Sequence, residues 1–167
     1  MTHRLLASAA ALAALLALGA CSSTDKPTPT PLERLANAAV IKPLWSVRQS
    51  GDASPALRMA VADGLLVAAD DDGNVSAREL LSGRERWHGS VKASISAGVG
   101  SDGRYAAVVT KDNELVVLDS GLQKWRTPLL TKVVTPPLVA GERVFVQGID
   151  RAVVAFDVID GRKLWVY

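Results

Sequence analysis

Tryptophan recurs along this chain at a nearly constant interval. The four tryptophans of the sequence are separated in turn by 42, 38 and 40 residues: Trp45, Trp87, Trp125 and Trp165. The last three each complete the pattern Gly-x-x-x-Trp, beginning at Gly83, Gly121 and Gly161. A period of about forty residues predicts a supersecondary unit that is copied and stacked, because one such unit cannot bury its apolar faces alone.

The segments between the tryptophans predict strands. Short β-branched runs, among them LLVAA, ELVVLD and AVVAFD, are separated by turn signals such as Asp63-Gly64 and Asp102-Gly103. Each interval has room for four strands of about five to seven residues with their turns. The sequence therefore predicts an all-β fold over residues 43–167, a partial β-propeller of about three four-stranded blades.

The repeat is uneven in one place. ARELLSGRERW (Ala77 to Trp87) and AFDVIDGRKLW (Ala155 to Trp165) match position by position, whereas VLDSGLQKW (Val117 to Trp125) lacks two residues before its Ser-Gly pair. A shorter turn between the last two strands of the second blade accounts for this difference.

Composition argues against several classes of protein. The formal net charge is only +2 and the basic residues are scattered, so no nucleic-acid partner is expected. Cys21 is the one cysteine, which excludes an internal disulfide. His88 is the only histidine beyond the first twenty residues, and beside Trp87 it is better explained as a strand residue than as part of a Ser-His-Asp triad.

One acidic stretch, ADDDGNVSARE, has some of the spacing of a calcium loop. Asp70, Asp72, Gly73 and Glu79 fit positions 3, 5, 6 and 12 of such a loop, but Ala68 stands at its first ligand position. We therefore favour a hairpin turn on Asp72-Gly73 over a metal site. With one cysteine, no complete calcium loop and no expected triad, the chain is expected to have no metal, no cofactor and no catalytic residue.

The N-terminus predicts export. A positive start is followed by an apolar run, Leu5 to Ala20, that is too short for a membrane span, so residues 1–20 are expected to be a cleaved signal peptide. LGAC resembles the bacterial lipobox. The resemblance implies that Leu18, Gly19 and Ala20 are recognised by a signal peptidase and that Cys21 carries fatty acid, palmitate included. Ser22 then resembles the outer-membrane address of lipoproteins, since Asp at that position commonly retains them at the inner membrane.

Residues 21–42 are expected to be a lipidated, Pro-rich tether. Within it, residues 32–42 could form a short helix or an extended segment, and the sequence leaves both open.

The repeated motif resembles the tryptophan-docking motif of PQQ-like propellers, Ala-x-Asp-x-x-Thr-Gly-x-x-x-Trp. The resemblance implies that Gly83, Gly121 and Gly161 turn the chain into the outermost strand of each blade. It also implies that Trp87, Trp125 and Trp165 dock on the neighbouring blade. The pairs typical of WD40 blades are absent, and kelch repeats are longer.

Lipobox, tether and PQQ-like blades together resemble the BamB family of outer-membrane-protein assembly factors. That resemblance implies a non-enzymatic, lipid-anchored scaffold facing the periplasm at the outer membrane of a Gram-negative bacterium. Its partners would be the POTRA domains of a BamA-like protein, other subunits of the assembly complex and unfolded outer-membrane proteins. An envelope binding lipoprotein with another client, or a fragment of a PQQ-dependent dehydrogenase, are the alternatives.

The family closes eight blades, so we expect this chain to be an N-terminal portion of such a propeller. Trp45 would then belong to a strand of the last blade, without its neighbours. The resemblance implies that the family's main BamA-contacting loop lies beyond Tyr167, so residues 21–167 are expected to be poorly stable and to bind BamA weakly or not at all.

Overall fold

A computed structural model describes residues 29–31, 42–49 and 57–167. The expected signal peptide and nearly all of the expected tether lie outside the described residues. Lys42–Tyr167 form one compact unit, and every strand described below belongs to it.

This unit contains twelve strands in three sheets. The first sheet contains β1 (Ala60–Ala62), β2 (Leu65–Ala69), β3 (Asn74–Glu79) and β4 (Glu85–Ser90). The second contains β5 (Ile95–Ser101), β6 (Tyr105–Thr110), β7 (Glu114–Asp119) and β8 (Leu122–Pro128). The third contains β9 (Leu138–Ala140), β10 (Arg143–Gln147), β11 (Val153–Asp157) and β12 (Lys163–Val166).

Each sheet is an antiparallel meander whose strands follow one another in chain order. No helix occurs among the described residues, and the three sheets stand open rather than closing a ring. The predicted all-β fold of about three four-stranded PQQ-like blades is confirmed. We call the sheets blades one, two and three.

The core lies in two layers, one on each face of blade two. Val67, Val75 and Ala77 of blade one pack against one face of it, and Val144 and Phe156 of blade three pack against the other. All six residues of β6 are buried, as expected for a strand covered on both faces. Blade two is therefore the stabilising centre of the described structure.

The irregular repeat has the predicted cause. Five residues join β3 to β4 and five join β11 to β12, but only Ser120 and Gly121 join β7 to β8. Both of these residues have positive φ, 50° and 89°, as the tight two-residue hairpin turns that match strand twist require.

Candidate functional site between the blades

Two tryptophan rings dock against a glycine of the following repeat, Trp45 on blade one and Trp125 between blades two and three. The indole of Trp45 lies against Gly83 of blade one, and its Nε1 donates a hydrogen bond of 2.9 Å to the carbonyl of Leu80. The indole of Trp125, in blade two, lies against Gly161 of blade three, with Nε1 donating to the carbonyl of Val158 at 2.9 Å. The two docking sites are equivalent, atom for atom.

Glycine is required at these positions for two reasons. Gly83 and Gly161 have φ values of +71° and +76°, in the region that side chains rarely adopt. A Cβ at Gly83 would also lie 2.6 Å from the ring of Trp45, and one at Gly161 would lie 2.7 Å from the ring of Trp125. The ring therefore rests directly on bare backbone.

The middle docking site is looser. A Cβ at Gly121 would lie 3.3 Å from Cε3 of Trp87, and its nearest neighbour would be the carbonyl oxygen of His88 at 2.5 Å. The tight hairpin after Asp119 therefore packs its backbone more closely against the backbone of blade one than against the ring of Trp87. A Cβ at Gly89 would meet the Gly121 carbonyl as well.

Hydrogen bonds within each long hairpin hold the docking glycine in place. Gly83 donates its amide to the carbonyl of Glu79 at 2.8 Å, and Gly161 donates to the carbonyl of Asp157 at 3.0 Å. The Asp157 side chain also accepts from the amide of Ile159 at 2.8 Å. The acidic position of the motif therefore shapes the turn that presents the glycine.

The acidic side chains of the first two blades are also held by neighbouring cations. Glu79 accepts hydrogen bonds from Arg84 and from the Ser82 hydroxyl, each at 2.6 Å. These bonds lower the pKa of Glu79 to about 2. Arg104 binds both oxygens of Asp119, which lowers the pKa of that carboxyl.

The last docking tryptophan lies on an open face. Trp165 is 44% exposed and its ring packs on Phe145 of the same blade, with 5.8 Å between centroids. Register pairs Trp165 with Ala155, Ala155 with Phe145 and Phe145 with Leu138, so these four residues share one face. Trp165 thus lies in a row equivalent to those that blades one and two bury.

The acidic stretch forms the expected hairpin turn. Asp70 is buried, and its carboxylate accepts hydrogen bonds from the amide of Asn74 at 2.9 Å and from the Asn74 side chain. Within the residues that the structure describes, no group of three metal-ligating side chains is brought together. His88 is an exposed residue of β4 whose Nδ1 lies 3.0 Å from Glu85.

One organising residue went unnoticed in the sequence. Asn113, at φ 61°, donates its side-chain amide to the carbonyls of Leu129 and Thr131 and accepts from the amide of Val133, each at 3.0 Å. It fastens the segment that connects blade two to blade three. The only signal was its place in a Lys-Asp-Asn-Glu turn, which many unremarkable turns share.

The docking of Trp45 also differs in part from expectation. Residues 42–49 contain no strand, yet the ring is docked on blade one as Trp125 is on blade three. Spacing could have revealed this, because Trp45, Trp87 and Trp125 precede their glycines by 38, 34 and 36 residues. Leu18, Gly19, Ala20 and Cys21 lie outside the described residues.

Comparison with known proteins places this architecture in a family. A family model described as outer membrane protein assembly factor BamB matches residues 71–167. The BamB of Bordetella pertussis is 34% identical over 162 residues, which cover 94% of this chain and 42% of that protein. The chain therefore spans about two fifths of the length of this curated relative.

Solved structures agree on the fold. The crystal structure of BamB from Moraxella catarrhalis matches with a TM-score of 0.60 and 26% identity, covering 72% of this chain and 37% of that one. A europium-containing methanol dehydrogenase matches with a TM-score of 0.51 but 18% identity, over 67% of this chain and 25% of that one, which shows a common fold alone.

No segment that the structure describes forms a helix long and apolar enough to cross a membrane. The family model covers more than half of the chain, and its matched residues contain all of blades two and three with their docking glycines. The chain belongs to the BamB family of outer membrane protein assembly factors.

Proposed function

We propose that the chain acts as a non-enzymatic scaffold in the assembly of outer-membrane proteins. The observation that carries this proposal is the match of residues 71–167 to the BamB family model. The arrangement of the acids supports it, because Asp70, Glu79 and Asp119 are each engaged by side chains of their own blade. Carboxylates held in this way shape hairpins and are poorly placed to act on a substrate.

The work of such a scaffold is to hold other proteins in position. We propose that its partners are POTRA domains of a BamA-like protein, other subunits of the assembly complex and unfolded outer-membrane proteins. Rigid blades suit this task, since docked tryptophans and buried β6 fix the surfaces that the loops between strands present.

We further propose that residues 1–20 are a signal peptide recognised at Leu18, Gly19 and Ala20, and that residues 21–42 are a lipidated tether. The lipid would be attached at Cys21 and would anchor residues 43–167 to the outer membrane on its periplasmic side. Several acyl chains on one cysteine give stable attachment, whereas a single chain is marginal.

Deletion of the gene from its own bacterium tests the scaffold. We expect a lower amount of folded outer-membrane proteins, measured as heat-modifiable bands on gels, and recovery when the gene is returned. Unchanged levels in the deletion strain would contradict the proposal.

Labelling of the chain tests the anchor. With radioactive palmitate in the medium, the wild-type chain should be labelled and Cys21→Ser should not. Ser22→Asp is the matched control, because it should still be labelled but should move to the inner-membrane fraction. Equal labelling of Cys21→Ser would remove the lipid anchor from the proposal.

A further inference from the structure

Blades two and three carry different side chains at equivalent places beside their clefts. The residue after the docking tryptophan is Arg126 in blade two and Val166 in blade three, paired across the sheet with Val116 and Val154. Two residues before those valines stand Glu114 and Ala152 respectively. The same corner of the fold is thus charged in one blade and apolar in the next.

The charged pair closes the cleft between blades one and two. The guanidinium of Arg126 donates one hydrogen bond to Glu114 at 3.1 Å and another, from Nη2, to the carbonyl of Val91 in the segment that leaves blade one. The side chain therefore bridges the two blades across the cleft between them.

The cleft between blades two and three stays open. With Ala152 and Val166 at the equivalent positions, a groove of about 340 Å³ remains there. Leu129 lines it from the blade-two side, and Val154 and Phe156 line it from blade three. A volume of this size lies at the lower end of the range for ligand sites and suits one large apolar group.

A single cation lies in the wall of this groove without an ion-pair partner. Lys163 contributes to the lining, and within the described part of the chain no acidic side chain pairs with it. The equivalent residue of blade one, Glu85, is paired with Arg78 at 2.6 Å. The one acid of the groove, Asp150, accepts a hydrogen bond from the Ala152 amide at 3.1 Å.

We propose that this groove binds an apolar side chain of an extended polypeptide, with a neighbouring carboxylate of that polypeptide meeting Lys163. The apolar wall selects the side chain, and the unpaired cation selects the charge beside it. Val166 is 55% exposed, so the groove opens to solvent and the rest of the bound chain can continue outside it.

The inference rests on the proposed function in one respect, the source of the polypeptide. Strands of outer-membrane proteins alternate apolar and polar residues, so an unfolded client offers an apolar side chain at every second position. A single side-chain pocket can sample many sites on such a chain, which suits transient holding better than tight binding.

Peptide binding to the purified chain tests the groove. The probe is a fluorescein-labelled decapeptide alternating serine with leucine, with one phenylalanine flanked by glutamate, followed by fluorescence anisotropy. The variant Ala152→Glu with Val166→Arg transplants the closing pair of blade two into the open cleft. We expect it to weaken binding at least tenfold.

Ala140→Glu with Leu122→Arg is the matched control. It adds the same two charges at exposed positions outside the groove lining, and should bind as the wild-type chain does. Far-UV circular dichroism checks that both double variants retain the wild-type fold. Absence of binding to the wild-type chain, or equal binding by the variant with the transplanted pair, overturns the proposal.

A charge exchange gives a second measurement that does not depend on filling the groove. Lys163→Glu should weaken binding of the glutamate peptide several-fold and strengthen binding of a peptide carrying lysine there. An unchanged preference would overturn the assigned role of Lys163. The peptide assays and the gene deletion test different proposals. If deletion leaves outer-membrane proteins unchanged, the scaffold role fails but the peptide site can still stand. If the peptide assays fail, the groove is refuted and the scaffold role is not.

Discussion

Replacing Gly161 with alanine should destabilise the chain by more than the same change at an open turn. Two costs coincide at this residue. Its φ of +76° is strained for alanine, and the new Cβ would lie 2.7 Å from Cδ2 of Trp125. Gly64 has nearly the same φ, +71°, but nothing lies within 4 Å of its Cβ position. Gly64→Ala therefore isolates the backbone cost.

The magnitudes follow from these contacts. A left-handed conformation costs a non-glycine residue about 1–2 kcal/mol, and both variants share this term. Carbon atoms pack best at about 3.5–4.0 Å, so the ring of Trp125 would have to retreat by about 1 Å. Overpacking of this kind costs about 1–3 kcal/mol, and retreat also strains the hydrogen bond to Val158. We expect Gly161→Ala to exceed Gly64→Ala by about 1–3 kcal/mol.

Urea unfolding followed by far-UV circular dichroism measures the difference. At an m-value of about 1–3 kcal/mol/M, the expected excess lowers the midpoint by about 1 M relative to Gly64→Ala. Repeating both substitutions in a Trp125→Leu background completes a double-mutant cycle, in which the excess should largely disappear. Equal midpoints for the two glycine variants, or an excess that persists without the indole, would refute the docking argument.

Two further predictions concern side chains that hold turns. Asn113→Gly removes the side-chain amide but suits the positive φ, since blade one has Gly73 at the equivalent turn. The substitution should lower the free energy of unfolding by about 1–3 kcal/mol, because the Val133 amide loses its acceptor. An unchanged thermal midpoint would contradict this. The Glu79 carboxyl should titrate near pH 2 by ¹³C NMR and higher in Arg84→Gln. Because the folded pKa is the lower one, its contribution to stability is complete above about pH 4.5 and is lost as the pH falls towards 2; a midpoint near 4.5 in the native chain would contradict this.

Much of the fold could be predicted because the repeat depends on backbone requirements. A turn that needs positive φ favours glycine, and the ring that rests on that glycine belongs to the preceding tryptophan, as Trp45 on Gly83 and Trp125 on Gly161 show. These restrictions are visible in the sequence at Gly83, Gly121 and Gly161. Short apolar runs bounded by turn residues then located strands such as ELVVLD, which is β7 from end to end.

Other features could not be read from the sequence because they depend on contacts between distant residues. Asn113 acquires its role only when residues 129–133 are folded beside it. Trp45 is an intermediate case, because its spacing fits docking on Gly83 but the expected eight-blade ring assigned it to a strand, and residues 42–49 contain none. The groove likewise depends on Ala152 and Val166 standing where blade two has Glu114 and Arg126. That equivalence is visible only when the strand register is known.

The contrast between Glu114 with Arg126 in blade two and Ala152 with Val166 in blade three bears on how a repeated fold becomes specific for a binding partner. Docking tryptophans and glycines cannot vary without loss of packing, so they make the blades alike. In blades two and three the residue after the tryptophan lies beside a cleft and is free of that restriction, as Arg126 and Val166 show. This difference between blades two and three therefore lies beside a cleft, where a bound chain would meet it. If so, the surface that selects a client is built from the positions at which the copies disagree.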